Sequence, residues 1–170
     1  MEHVRKAAFE TNSSSTHSIV IEHGEFVASK LPVVKGEVEI FPGEFGWEIA
    51  DYNDPATKAS YCLTYLMASA NKVDFDSKSN REVVRFRMSN VDSVTHSVEV
   101  QRRLHQLSRV IEEETGAIPV FSSVPCGWYP WGYIDHQSHG VCAEAFDSDE
   151  SLRNFIFNPN STLHTDNDNH

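Results

Sequence analysis

Apolar and polar positions change their period several times along the chain, and each change marks an expected element. Arg5–Glu10 and Ser18–Ile21 read as short strands on either side of a wholly polar connector, Thr11-Asn12-Ser13-Ser14-Ser15-Thr16-His17. Strand-like pieces follow at Glu37–Phe41 and around Trp47–Ile49, set off by Pro42-Gly43 and Gly46. The period then lengthens. Asp54 is placed to cap a helix and Pro55 to open it, because the N–H that proline lacks has no partner in the first turn anyway. From there to Asn71, the residues Ala59, Cys62, Leu63, Leu66, Met67 and Ala70 recur at the three-and-four spacing of one buried stripe. That stripe makes Cys62 a packing residue.

Val83–Met88 returns to a period of two, as in a strand with one buried face. A second long helix fits Val94 to Thr115, with Val100, Leu104, Leu107 and Ile111 on one side and Gly116 as its stop. Ala117–Phe121 follows as a strand. Ser122–Gly140 is a Gly-, Pro- and aromatic-rich loop. Ser148 or Asp149 then caps a short helix carrying Leu152, Phe155 and Ile156, which Asn158-Pro159 ends, and a last strand falls near Thr162–Thr165. The expected fold is α+β, or mixed α/β, with one sheet, two longer helices and one short C-terminal helix. No internal repeat or composition break divides it, so residues 1–165 are expected to form a single domain and 166–170 a polar tail.

Composition narrows the class. A chain of 170 residues, 39% hydrophobic and 11% aromatic, is long and apolar enough to bury a core without staples. Twenty-five Asp and Glu against fourteen Lys and Arg leave a net charge of −11, which repels phosphate backbones and argues against direct nucleic-acid binding. The same charge favours fast encounter with a basic protein surface. Three cysteines, Cys62, Cys126 and Cys142, are an odd number without the spacing of a disulfide framework, so a reducing cytosol is the expected compartment. The charged start and the absence of a long apolar run predict neither a secretion signal nor a membrane partner.

Two polar blocks carry candidate chemistry. Asn12, Ser13, Ser14, Ser15 and Thr16, with His17, offer several donors to a phosphate or a nucleotide, although the same residues also suit a turn that bonds its own backbone. No phosphate-loop Gly-Lys signature accompanies them. In the second block, Asp135 is placed to orient His136, and Gln137 and Ser138 stand beside them as ligand-binding candidates. If the blocks meet in space, His17, Asp135 and His136 are the catalytic candidates. His136, His139 and Cys142 stand at three-residue steps, a nitrogen and sulfur set suited to zinc, but without the Cys-x-x-Cys or His-Glu-x-x-His pattern that marks such sites. No cofactor is demanded; zinc is the one the residues suggest. The rings of Trp128, Tyr129, Trp131 and Tyr133 are of the kind that anchors protein interfaces, or that packs a core. The tail Asp166–Asn169 alternates like a calcium loop but lacks its Gly and closing Glu.

The stretch Phe9-Glu10-Thr11-Asn12-Ser13-Ser14-Ser15-Thr16-His17-Ser18-Ile19-Val20-Ile21 resembles the opening of a family of small accessory proteins encoded by bacteriophages and prophages. Tyr133-Ile134-Asp135-His136-Gln137-Ser138 and the ending from Leu152 to Asn169 are similar to recurring pieces of the same family. The resemblance implies a viral or prophage origin and a host-directed accessory role; with the acidic charge it leads to the expectation of a protein that inhibits or redirects a host protein in the host cytosol, such as an anti-CRISPR-like inhibitor of a defence system, by stoichiometric binding. It supplies no reaction and no catalytic residue.

Overall fold

A computed structural model of the chain describes residues 17–46, 48–68, 85–87, 98–122, 132–134 and 141–166, with the backbone alone for 85–87. The fold is mixed α+β. Helix α1, Pro55–Ala68, begins where its capping residues put it: the Asp54 carboxylate accepts a hydrogen bond of 2.8 Å from the Thr57 amide. It is buried well beyond a single stripe, because Lys58, Tyr61, Thr64 and Tyr65 are buried along with Ala59, Cys62, Leu63, Leu66 and Met67. Helix α2, Val98–Thr115, buries the expected Val100, Leu104, Leu107 and Ile111. It stops at Gly116, whose φ of 67° closes the last turn with a bond from its amide to the Glu112 carbonyl. Helix α3, Asp149–Phe157, is capped by the Ser148 hydroxyl, which accepts from the Ser151 amide at 3.0 Å. Asp149 and Glu150 in its first turn complement the helix dipole.

The strands are β1 (Ser18–Val20), β2 (Glu37–Ile40), β3 (Glu44–Phe45), β4 (Ala50–Tyr52), β5 (Arg85–Arg87), β6 (Ile118–Ser122), β7 (Tyr133–Ile134) and β8 (Thr162–Thr165). Among the described residues they form three small sheets where the alternation pattern predicts one. β8 lies between β1 and β4, antiparallel to both; β6 lies between β2 and β5, parallel to both; β3 and β7 form a parallel pair. The strand expected around Trp47–Ile49 is also displaced. Strands β3 and β4 flank that position instead, and the chain changes sheets between them after Gly46, whose φ is 148°. Ile49, which made the segment look strand-like, is 59% exposed. A 3-10 helix, Val141–Asp147, falls between the expected loop and α3, where the pattern assigned no element, and β7 lies inside the stretch Ser122–Gly140 expected as a loop.

The three helices pack on one another, and one continuous apolar cluster joins α1, α2, α3 and the 3-10 helix with residues of β1, β2, β3, β6, β7 and β8. Two ion pairs, Arg109–Asp149 at 2.7 Å and Arg153–Glu114 at 2.6 Å, tie α2 to α3 at the surface. Pairs this exposed are worth less than about 1 kcal/mol each. No helix among the described residues is long and apolar enough to cross a membrane.

Candidate functional site

The middle of α1 is where the candidate segments meet the described structure. Tyr61 is fully buried, and its hydroxyl shares a hydrogen bond of 3.0 Å with His17 Nδ1, the tautomer deciding which group donates. Burial raises the Tyr61 phenol far above its ordinary value, so the hydroxyl keeps its proton. The other side of the ring meets Phe45 edge to face, with centroids 4.9 Å apart. Phe45 is the register partner of Ile134 across the β3–β7 pair. The next residue on the helix, Cys62, brings its Sγ to 3.6 Å from Cys142 Sγ. Burial pushes the Cys62 thiol up as well. His17 and Cys142 therefore meet two consecutive residues of one helix, and Ile134 pairs with Phe45, which packs on the first of them.

Local chemistry explains the convergence. The Thr64 hydroxyl donates to the Ser60 carbonyl and accepts from the Gly43 amide at 2.9 Å, which seats the Pro42-Gly43 turn on α1. The Gly43 carbonyl in turn accepts from the Tyr133 amide at 2.9 Å. Gly132, at φ 78°, has no room for a side chain, since a Cβ would strike the Gly43 carbonyl oxygen and the Thr64 methyl. The entry to β7 is thus packed backbone against backbone under the turn.

A second feature of α1 escaped the pattern reading. Lys58 is completely buried, and its ammonium donates to the carbonyls of Asn158 at 2.9 Å and Ser161 at 3.0 Å while lying 6.0 Å from the Phe155 ring centre. Burial lowers its pKa to about 8, against the opposing charge of Asp54. The signal was present in the sequence: Lys58 stands four residues before Cys62, on the stripe that the apolar spacing assigns to the core. Its targets, backbone carbonyls a hundred residues away, left no trace there.

Of the residues singled out by sequence, His17, Tyr133 and Cys142 are described. His17 is 1% exposed, so its imidazole is held as a buried anchor for the start of β1. Tyr133 is half-buried in β7. Cys142 is a core thiol facing Cys62. Asn12, Ser13, Ser14, Ser15 and Thr16 lie outside the described residues, as do Asp135, His136, Gln137, Ser138 and His139 and the rings of Trp128, Tyr129 and Trp131. Among the described residues, no group of three or more His, Cys, Asp or Glu is placed to hold a metal ion. No protein-family model, curated protein or solved structure matches the chain.

Proposed function

We propose that this chain is an accessory binding protein, of the phage or prophage kind its opening resembles, that occupies a host protein through an acidic exterior and so inhibits or redirects it. The observation that carries the proposal is how Arg102, Arg103, Arg109 and Arg153 are used. Glu99 takes both Arg102 and Arg103, Asp149 takes Arg109, and Glu114 takes Arg153. Cations spent on carboxylates of the same chain leave the surplus of −11 uncompensated for a basic partner. In this reading the host protein carries a basic surface, such as a nucleic-acid-binding component of a defence system, and the encounter takes place in the host cytosol. The rings of Trp128, Tyr129, Trp131 and Tyr133 serve as its anchors.

Capture from host lysate with the tagged full chain tests this reading. The expected result is a stoichiometric complex with one basic protein, forming more slowly as salt is raised. The double variant Trp128→Ala, Trp131→Ala is expected to weaken that complex at least ~30-fold, equivalent to about 2 kcal/mol at interface anchors, with an unchanged melting temperature. Capture of nothing at low salt overturns the proposal.

A second reading is favoured by the contacts of His17 with Tyr61 and of Cys142 with Cys62, neighbours on α1. It takes the hydroxyl run and the segment Asp135–His139 as the two walls of a site for a phosphate or a nucleotide, with His136 as acid–base group or zinc ligand. Thermal shifts with inorganic phosphate and a set of nucleotides, together with metal analysis of the purified protein, test it. A melting temperature unmoved by every probe, in a protein free of zinc, removes this reading.

A further inference from the structure

We propose that Cys62 and Cys142 form an oxidative cross-linking site, at which a small peroxide converts the two core thiols into a disulfide that staples α1 to the 3-10 helix. The two residues come from elements 80 positions apart, yet their sulfurs lie 3.6 Å from each other, in van der Waals contact, with the Cys142 thiol donating to Cys62. Both are free thiols, and both have no solvent exposure. Neither is an anchor of the proposed binding surface.

Contact of this kind determines the product of oxidation. Peroxide transfers one oxygen to the first thiol, the O–O bond breaks, and one water leaves. The resulting sulfenic acid is already touching the second thiol, whose sulfur attacks it. The S–S bond forms, the S–O bond breaks, and hydroxide departs with the second thiol's proton as another water. Overall, two thiols and one hydrogen peroxide become one disulfide and two waters. The second step is intramolecular between groups held in place, so it outruns further oxidation of the sulfenic acid. A disulfide bond is about 2.05 Å long, so the sulfurs must approach by about 1.5 Å. Burial also selects the reagent. A peroxide molecule is small and neutral enough to enter a core during local opening, whereas glutathione disulfide is not.

Two consequences can be measured. Closing a long loop removes conformations from the unfolded chain, so the oxidised protein melts higher, by on the order of 5–15 °C. The bond also fixes Cys142, which follows the segment Asp135–His139 closely in sequence, to the residue beside Tyr61. To test the site, the folded full chain is treated with hydrogen peroxide, quenched with catalase, unfolded, alkylated and mapped by mass spectrometry. The expected map links the Cys62 and Cys142 peptides, finds Cys126 alkylated, and shows the mass of two hydrogen atoms lost. The rise in melting temperature disappears on treatment with dithiothreitol. Cys126→Ser is expected to behave as the wild type, and glutathione disulfide to leave both core thiols free. A link that includes Cys126, accumulation of sulfinic acid at either core position, or thiols that survive peroxide in the folded protein but not in the unfolded one would each overturn the proposal. Cys142→Ser is expected to lose both the link and the rise in melting temperature; should it fail to fold, the wild-type map decides alone.

Discussion

Lys58 concentrates the physics of a single residue in this protein. An ammonium group without water is stable only if its donors are used, and two carbonyls from the turn after α3 accept them. Lys58→Ala removes the donor and leaves a cavity, and the expected cost is about 3–5 kcal/mol by urea denaturation. Lys58→Met keeps most of the volume and is expected to cost about 1–3 kcal/mol, so an alanine variant as stable as the methionine one would contradict this account. The group also sets a pH dependence. With a folded pKa near 8 against an ordinary 10.5, the folded state loses this proton first and the unfolded state binds more protons in between. Stability from Lys58 therefore rises as pH climbs from 8 towards 10.5, and wild type should gain on Lys58→Met across that window. Tyr61 acts in the opposite sense. Its raised phenol stays protonated in the fold while the unfolded chain ionises above pH 10, so its contribution falls there. Tyr61→Phe, which deletes the bond to His17, is expected to lower stability by about 1 kcal/mol and to abolish that alkaline decline.

At the scale of elements, capping chemistry made the helices readable. Asp54-Pro55, Ser148 and Gly116 each fix an end by a local rule, and the structure places the ends there. Ser148→Ala should cost about 1 kcal/mol in thermal or chemical melts, the usual loss for a serine cap. Gly116→Ala meets open space, so its penalty is purely that of a left-handed backbone, again about 1 kcal/mol. Gly132→Ala is expected to cost far more, because it forces apart the backbone contact that carries β7 onto the Pro42-Gly43 turn. Strands were less legible. Sequence pattern located β1, β2, β5, β6 and β8, but it missed β3 and β4 around Gly46, where Ile49 is exposed, and β7, which lies inside the stretch expected as a loop. Pairing partners were invisible, since Ala50–Tyr52 is completed by residues near the end of the chain.

For the whole molecule, charge and topology have separate origins. The acidic surplus is a property of composition, and its self-repulsion burdens the compact state. Moderate salt should therefore raise the melting temperature while slowing association with a basic partner, and a melting temperature that falls with salt would argue that the surface pairs outweigh the surplus. The three sheets around one apolar cluster bring the neighbours of both polar blocks to α1. Pattern alone could not have brought His17 to Tyr61, because nothing local distinguishes a buried His17 from a solvated one.

The amino-acid sequence by itself determined the three α-helices and their ends at Asp54-Pro55, Gly116 and Ser148, most strand positions, the α+β class and the acidic field, because each depends on neighbours a few residues away or on composition alone. Tertiary structure alone decided the division of the described strands into three sheets, the carbonyl partners of Lys58 and the meetings of His17 with Tyr61 and of Cys62 with Cys142. Those contacts join residues separated by 44 to 103 positions. Across such distances the outcome depends on which apolar faces close together, and no local period records that choice.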